Sequence, residues 1–366
     1  MKIGILTFHS AVNYGAVLQC WALAEKLKSM GFEVFIINYV SSFIKEKYSP
    51  FSWTFLSEKS LMGKVQYLML HFFKRGKIIA RNEKFSTFIN ACFRYVSLDL
   101  IDEKMDIVLV GSDQVWNTEL TGGYDKHYFL DFPIKSQIKR ISFAASSELV
   151  HFQRTINGNN KAIMALSKFH ALSVREEALK NELLSKGLKD VVVVSDPTLL
   201  LDIEHYEKVV AEKIVDEKDL FVFQVVNSPL TMKVAQKMAK SKNLKLVYLN
   251  ASYRLFQKDK NVSIPIGPSE FLSLIKYSDF IITTSFHGTA FSIIYRKQFV
   301  TIRTAHMNRQ ENLLYMLGLS NRIISDISEV SILEDIEYGD AFKTHFEKYR
   351  CGSNLFLKRI LNHDFE

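Results

Sequence analysis

Short apolar runs of strand length recur along the chain, and most end in a cluster of small and polar residues followed by helical spacing. They fall at 2–8, 33–39, 106–110, 140–146, 171–174, 190–194, 219–226, 244–249, 277–283 and 298–303. β-branched residues dominate several of them. Near-continuous apolar runs separated by helical segments fit strands covered on both faces, which is the arrangement of parallel α/β sheets. The stretch Asp279-Phe280-Ile281-Ile282-Thr283-Thr284-Ser285-Phe286-His287-Gly288-Thr289 is the fullest case: a strand, a tight polar loop and a helix start. In open α/β sheets ligands bind at the carboxyl ends of strands, where helix N-termini favour anions. His287 therefore stands where a titratable group would meet a phosphate or carboxylate. The same spacing also fits a buried histidine that merely closes the loop.

The other strand ends carry their own polar clusters. After the first strand comes His9-Ser10-Ala11-Val12-Asn13-Tyr14-Gly15, in which Asn13 and Gly15 suit a sharp turn into the helix 16–27. It is not a GxGxxG fingerprint, so a dinucleotide site is unsupported. After 106–110 comes Gly111-Ser112-Asp113-Gln114-Val115-Trp116-Asn117. Ser112, Asp113, Gln114 and Asn117 offer donors and acceptors and Trp116 an aromatic face, a mixture that suits a sugar or, more plainly, a capped turn. Arg175 stands at a strand-to-helix junction, opposed to the helix dipole unless an anion or acid is near; Glu176 and Glu177 are candidates for that acid.

The 366 residues divide most simply into an N-terminal α/β domain over 1–202, a C-terminal one over 203–330 and a helical tail over 331–366. The expected fold class is α/β, two Rossmann-like domains in a GT-B-type arrangement with a central cleft and a C-terminal closing helix. Residues 41–91 break the pattern as a basic helical excursion from the first domain. Within 45–84 nine Lys or Arg face three Glu, interleaved with aromatic and aliphatic residues. That composition fits contact with an anionic membrane, or packing on its own domain with a solvated basic face. No nucleic-acid-binding motif accompanies it, so no nucleic acid is expected as a partner. Three widely spaced cysteines make neither a disulfide framework nor a zinc pattern. Without a secretory leader or an apolar run long enough to span a bilayer, a cytoplasmic protein is expected, peripheral to the inner membrane face if the excursion binds it.

Several motifs occur together in order: Thr7-Phe8-His9 with Asn13-Tyr14-Gly15-Ala16, Val110-Gly111-Ser112-Asp113-Gln114-Val115-Trp116-Asn117, Ser173-Val174-Arg175-Glu176, Ser195-Asp196-Pro197-Thr198, Ser285-Phe286-His287-Gly288-Thr289, and Asn308-Arg309 ahead of Leu313-Leu314 and Leu317-Gly318-Leu319. With this ordered set the chain resembles the polysaccharide pyruvyl transferase family from end to end. The resemblance implies transfer of a unit from phosphoenolpyruvate to a sugar of a surface polysaccharide or its lipid-linked precursor. The products are a pyruvate ketal and phosphate, with phosphoenolpyruvate as co-substrate and no other cofactor or metal. Many members carry an arginine two residues before the loop histidine; here Ser285 stands there, so another cation must hold the donor. Arg175 and Arg309 are the leading candidates, with Arg296 and Arg303 also near in sequence. On this reading His287 is the general acid and Asp113 the acceptor-side base. Arg175, Ser285, Gly288, Thr289 and Arg309 bind the donor, and Asn13, Tyr14, Gly15, Ser112, Gln114, Trp116 and Asn117 bind the acceptor. A GT-B glycosyltransferase using a nucleotide sugar, or a non-catalytic sugar-binding relative, is the alternative.

Overall fold

The computed structural model describes residues 1–49, 51–57, 59–157, 160–251, 261–262, 264–305 and 307–361. The polar stretch that follows the apolar run 244–249 in the sequence includes 252–260 and 263, which lie outside that set. The chain forms two compact units, each built from discontinuous segments. Unit 1 comprises Met1–Ser52, Ile89–Leu201 and Arg350–Glu366; unit 2 comprises Trp53–Phe88 and Asp202–Tyr349. Residues 53–88, read from sequence as part of an excursion from the first domain, thus group with unit 2, and the expected tail is divided between the units.

Unit 1 starts with β1 (Lys2–Leu6), α1 (Tyr14–Ser29) and β2 (Glu33–Ile37). Helix α2 (Leu61–Cys92) then leads to β3 (Tyr95–Val96), β4 (Ile107–Val110), β5 (Lys139–Ser142), β6 (Leu172–Val174), α3 (Glu177–Ser185) and β7 (Val191–Val193). The main sheet is parallel with order β3-β2-β1-β4-β5, and Ile5 lies between Ile36 and Leu109. The parallel pair β6-β7 joins its edge through isolated bridges from Ile141 to Ala171 and from Ala145 to Val174. Every residue of β4 is buried, as a central strand covered on both faces requires. Helix α1 is buried from Tyr14 through Ala24 because it packs between β2 and the turn Pro197–Leu200. The two-residue strand β3 was not foreseen, being too short to show a period.

The last segment of unit 1 comes from helix α8 (Asp340–Leu361). Arg350 Nη2 donates to the Leu200 carbonyl at 2.7 Å, and Ser353 Oγ accepts from the Ser195 amide at 2.7 Å. Phe356, Leu357 and Ile360 are buried beside them. The helix completes the core of unit 1, and each of these apolar side chains contributes on the order of 1.5–3 kcal/mol by leaving water.

Unit 2 holds β8 (Asp219–Gln224), α4 (Pro229–Lys242), β9 (Lys245–Asn250), α5 (Pro268–Tyr277), β10 (Phe280–Thr283), α6 (Phe286–Ile294), β11 (Gln298–Ile302), α7 (Asn308–Met316) and β12 (Ile323–Ile324). Its sheet is again parallel, with order β12-β11-β10-β8-β9. Prolines open α4 and α5, where a missing N–H costs nothing. The Glu270 carboxylate accepts from the Gly267 amide at 3.0 Å and pairs with Lys84 of α2 at 2.6 Å. That pair, with buried Phe85 and Phe88, ties the C-terminal half of α2 to unit 2. The core under α6 is aromatic: Phe271 meets Phe223 at 4.7 Å and Phe291 at 6.2 Å, both edge-on.

Just past β1, His9 is buried with its Nδ1 at 3.2 Å from the Thr7 carbonyl. A carbonyl only accepts, so Nδ1 carries the proton. Burial lowers the His9 pKa from 6.5 to about 4, only partly offset by that hydrogen bond. A base whose folded pKa is depressed binds its proton more readily unfolded, so stability is full above about pH 6.5 and is lost as the pH falls toward 4. His9→Asn should flatten unit 1 stability between those limits; urea melts at a series of pH values measure it, and an unchanged slope would assign the dependence elsewhere.

Candidate functional site

In unit 1 the strands' carboxyl ends are joined by one buried polar chain. Gln19 Nε2 donates to Thr7 Oγ1 at 3.1 Å, and Thr7 Oγ1 donates to the Ser112 carbonyl at 2.7 Å. Ser112 Oγ accepts from Arg175 Nη2, which also lies 2.7 Å from Asp196 Oδ2. Asp196 Oδ1 takes the Thr198 amide at 2.9 Å and the Thr198 hydroxyl at 2.6 Å. The chain thus runs from α1 and β1 through the loop after β4 to the residues following β6 and β7. The side chains of Arg175 and Asp196 are 3% and 0% exposed.

This arrangement corrects the expected partner of Arg175. The acid beside it is Asp196, while Glu176 accepts from Ser146 Oγ and Glu177 pairs with Lys180 at 3.0 Å. The Arg175 guanidinium is thus buried and paired with a carboxylate, and the pair links the residues that follow β6 and β7. Asp196 has no role in the sequence analysis beyond its motif; the signal for it is the Asp-Pro-Thr turn, in which the side chain folds back on Thr198.

The loop after β4 has unusual backbone. Gly111 has φ 109° and would put a Cβ 2.3 Å from the Phe143 carbonyl, so only glycine fits there. Asp113 has φ 73°, a left-handed conformation that aspartate tolerates better than most residues, and is half-buried with Oδ1 accepting from the Gln114 amide at 2.9 Å. Trp116 is not a platform for a sugar. It is fully buried, its indole donates to the Tyr128 carbonyl at 2.9 Å, and it stacks on Phe129 at 5.9 Å. Asn117 is also withdrawn: Oδ1 caps the short helix Thr118–Thr121 through the Glu119 amide, and Nδ2 donates to Gln114 Oε1. Ser112 is buried under Arg175. Asn13 is the N-cap of α1, its Oδ1 accepting from Gly15 and Ala16 at 3.0 and 3.3 Å, while Tyr14 and Gly15 are buried in the first turn. Of the acceptor-side candidates, Asp113, Gln114 and Asn13 keep partial exposure.

In unit 2, Ser285 is the N-cap of α6, accepting from the Gly288 amide at 3.4 Å. The Thr289 amide bonds the Ser285 carbonyl, and its buried hydroxyl donates to the same carbonyl and lies 3.2 Å from Thr301 Oγ1. The Gly288 and Thr289 amides expected to face an anion are therefore used inside the helix start. Gly288 is required for packing: a Cβ there would lie 2.3 Å from Thr283 Oγ1. His287 is the second residue of α6, buried to 8% exposure with its ring edge-on to Phe286. Arg309, half-buried in the first turn of α7, lies over the Phe286 ring at 5.6 Å. Arg303 pairs instead with Glu311 and with Ser325 Oγ, and Arg296 is exposed at the end of α6 with φ 50°. The Gln224 amide at the end of β8 holds the Tyr248 hydroxyl at 2.7 Å, and Thr284 Oγ1 accepts the Val225 and Val226 amides at 2.9 and 3.1 Å. Phe286 of α6 thus touches both His287 and Arg309 of α7, and the polar groups that end β8 and β9 lie at the same carboxyl end of the sheet.

Two parallel Rossmann-like units with polar clusters at their strand ends define an α/β protein of the GT-B type. The same fold is found in a putative UDP-N-acetylglucosamine 2-epimerase from Listeria monocytogenes (TM-score 0.54, 9% identity, 99% of this chain and 96% of that one). It is also found in the UDP-N-acetylglucosamine 2-epimerase from Rickettsia bellii (TM-score 0.53, 12% identity, 99% and 96%). A third is the UDP-GlcNAc 2-epimerase from Neisseria meningitidis bound to UDP-GlcNAc (TM-score 0.51, 14% identity, 99% and 100%). At such identities the likeness is one of fold. No curated protein sequence matches the chain. The family model for polysaccharide pyruvyl transferase matches residues 13–306, and the chain belongs to that family.

Arg175→Ala should destabilise the protein by about 3–5 kcal/mol, because it leaves a buried carboxylate without its partner. Arg175→Met combined with Asp196→Leu should recover part of that loss. Denaturant melts decide it: a small change for Arg175→Ala would return the arginine to a ligand-binding role.

Proposed function

We propose that the protein transfers a pyruvyl group from phosphoenolpyruvate to a sugar of a polysaccharide or its lipid-linked precursor, forming a ketal and releasing phosphate. The observation that carries this is His287 held at the start of α6, at the carboxyl end of a central parallel strand, with the Arg309 cation over the ring of the neighbouring Phe286. Family membership over residues 13–306 supports a transferase acting on polysaccharides.

The reaction needs a proton on the methylene carbon of the donor. An imidazolium is an acid usable near neutral pH, and a positioned one contributes about 10²- to 10⁴-fold. Protonation leaves cationic character at the neighbouring carbon, which a sugar hydroxyl attacks. A second hydroxyl then attacks the same carbon and the phosphate oxygen leaves. Two C–O bonds form and one breaks; of the two hydroxyl protons, one balances the proton given to carbon and one leaves with phosphate. His287 is the proposed acid. Arg309 is the proposed donor cation in place of the arginine that many family members carry where Ser285 stands. Asp113 and Gln114, half-buried on unit 1, are the proposed partners of acceptor hydroxyls, with Asp113 taking a proton.

Thermal shift of the purified protein tests the donor. Phosphoenolpyruvate should stabilise it, and Arg309→Ala should weaken that effect about tenfold or more in apparent affinity, since a charge-assisted contact adds roughly 1.5–3 kcal/mol. Stabilisation by a uridine diphosphate sugar alone would reassign the protein to nucleotide-sugar chemistry. His287→Ala should still fold and melt cooperatively, and lose at least a hundredfold in phosphate release with a competent acceptor. Near-normal turnover would remove the histidine from the mechanism.

A further inference from the structure

Helix α2 is two helices in character. Its C-terminal half is anchored through Phe85, Phe88, Arg81 and the Lys84–Glu270 pair. Its N-terminal half, over 61–73, is exposed on its apolar side: Leu61 83%, Met62 74%, Phe72 82% and Phe73 67%, with Val65, Leu68 and Met69 also exposed. Leu61, Val65, Leu68 and Phe72 are spaced four, three and four apart, so they form one stripe, and Met62, Met69 and Phe73 widen it on one side. The stripe is roughly 20 Å long at the rise of an α-helix.

Charge says what covers it. From residue 59 to 82 the sequence holds six cations, Lys59, Lys64, Lys74, Arg75, Lys77 and Arg81, and no acid. On the helix, Lys64 and Arg75 fall along one margin of the stripe and Lys77 along the other. A second copy docked through the same face would set this acid-free cationic rim against itself, because a two-fold interface repeats one patch on both partners. An anionic lipid surface meets both parts at once: acyl chains take the stripe and headgroups take the rim. No helix among the described residues is long and apolar enough to cross a membrane, so α2 would lie in the interface plane.

We propose that residues 61–77 form an in-plane docking helix for anionic lipid bilayers. The stripe enters the headgroup boundary and the Lys64, Arg75 and Lys77 cations bind the phosphates. The inference stands on exposure and charge of α2 and is independent of the pyruvyl-transfer reading, since its test contains neither donor nor acceptor.

The test is vesicle co-sedimentation of the full chain, with phosphatidylcholine vesicles and with phosphatidylcholine–phosphatidylglycerol mixtures. Binding should need the anionic lipid and fall steeply at about 0.5 M salt, where screening shortens to a few ångströms. Neutralising Lys64, Arg75 and Lys77 together should weaken it on the order of 10²-fold at low salt. Leu68→Glu with Phe72→Glu should abolish it, and because both side chains are exposed the melting temperature should stay put. In a Trp53→Phe background, Phe72→Trp should shift its emission to the blue on anionic vesicles only. Parent-like binding by the Leu68→Glu, Phe72→Glu protein overturns the proposal. So does failure to bind anionic vesicles, whether the protein stays monomeric or its mass doubles with concentration.

Discussion

Arg175 follows β6 and Asp196 follows β7, and the ion pair between them closes the carboxyl end of unit 1 from within. Through Ser112 the same guanidinium reaches the loop after β4, and through Thr7 the chain of bonds continues to β1 and α1. Two charges withdrawn from water in this way are costly, and their attraction offsets that only when geometry is good and the remaining polar atoms are bonded. The two Thr198 bonds to Asp196 and the Ser112 bond to Arg175 Nη2 supply part of that bonding. The pair therefore acts less as a source of stability than as a register pin. Four strand ends adopt one arrangement because any other would strand a buried charge.

The parallel strands were legible in the amino-acid sequence because both faces of each are covered, which turns a strand into an unbroken apolar run. Edge strands such as β3 and β12 leave no such trace in two residues. The polar clusters were placed correctly at the strand ends, yet several of their expected roles were not. Trp116, Asn117 and Asn13 have side chains suited to a sugar, and the same chemistry suits a core stack, a helix cap and a turn. Sequence alone does not say which claim on a polar group is satisfied first. Arg175 is the sharpest instance: a cation at a junction asks for an anion, and the chain supplies its own. Which unit a segment joins was illegible for a related reason. Residues 53–88 and 350–361 are assigned by contacts with chain far away in sequence.

A shared economy links the two units. Asn13, Asn117 and Ser285 each stand between a strand and a helix, and each spends a side-chain oxygen on orphan amides of the first turn. A cap of this kind contributes about 1 kcal/mol and fixes the direction in which the helix leaves the sheet. At α6 that direction decides where His287 points, and Gly288 lets the helix approach Thr283 closely enough to hold it there. Ser285 thus has a structural task of its own as the N-cap of α6.

Unit 1 is also a problem of timing. Its sheet and its buried ion pair are complete in sequence by residue 201, but its core still lacks the segment from Arg350 onward. At a ribosome adding about 5–20 residues per second, the nearly 150 intervening residues take on the order of ten to thirty seconds. Throughout that interval the surface that will receive Phe356, Leu357 and Ile360 is uncovered, and the Leu200 carbonyl waits for Arg350. Unit 2, whose last residue is Tyr349, is fully synthesised first. The chain therefore completes last the unit whose residues it makes first.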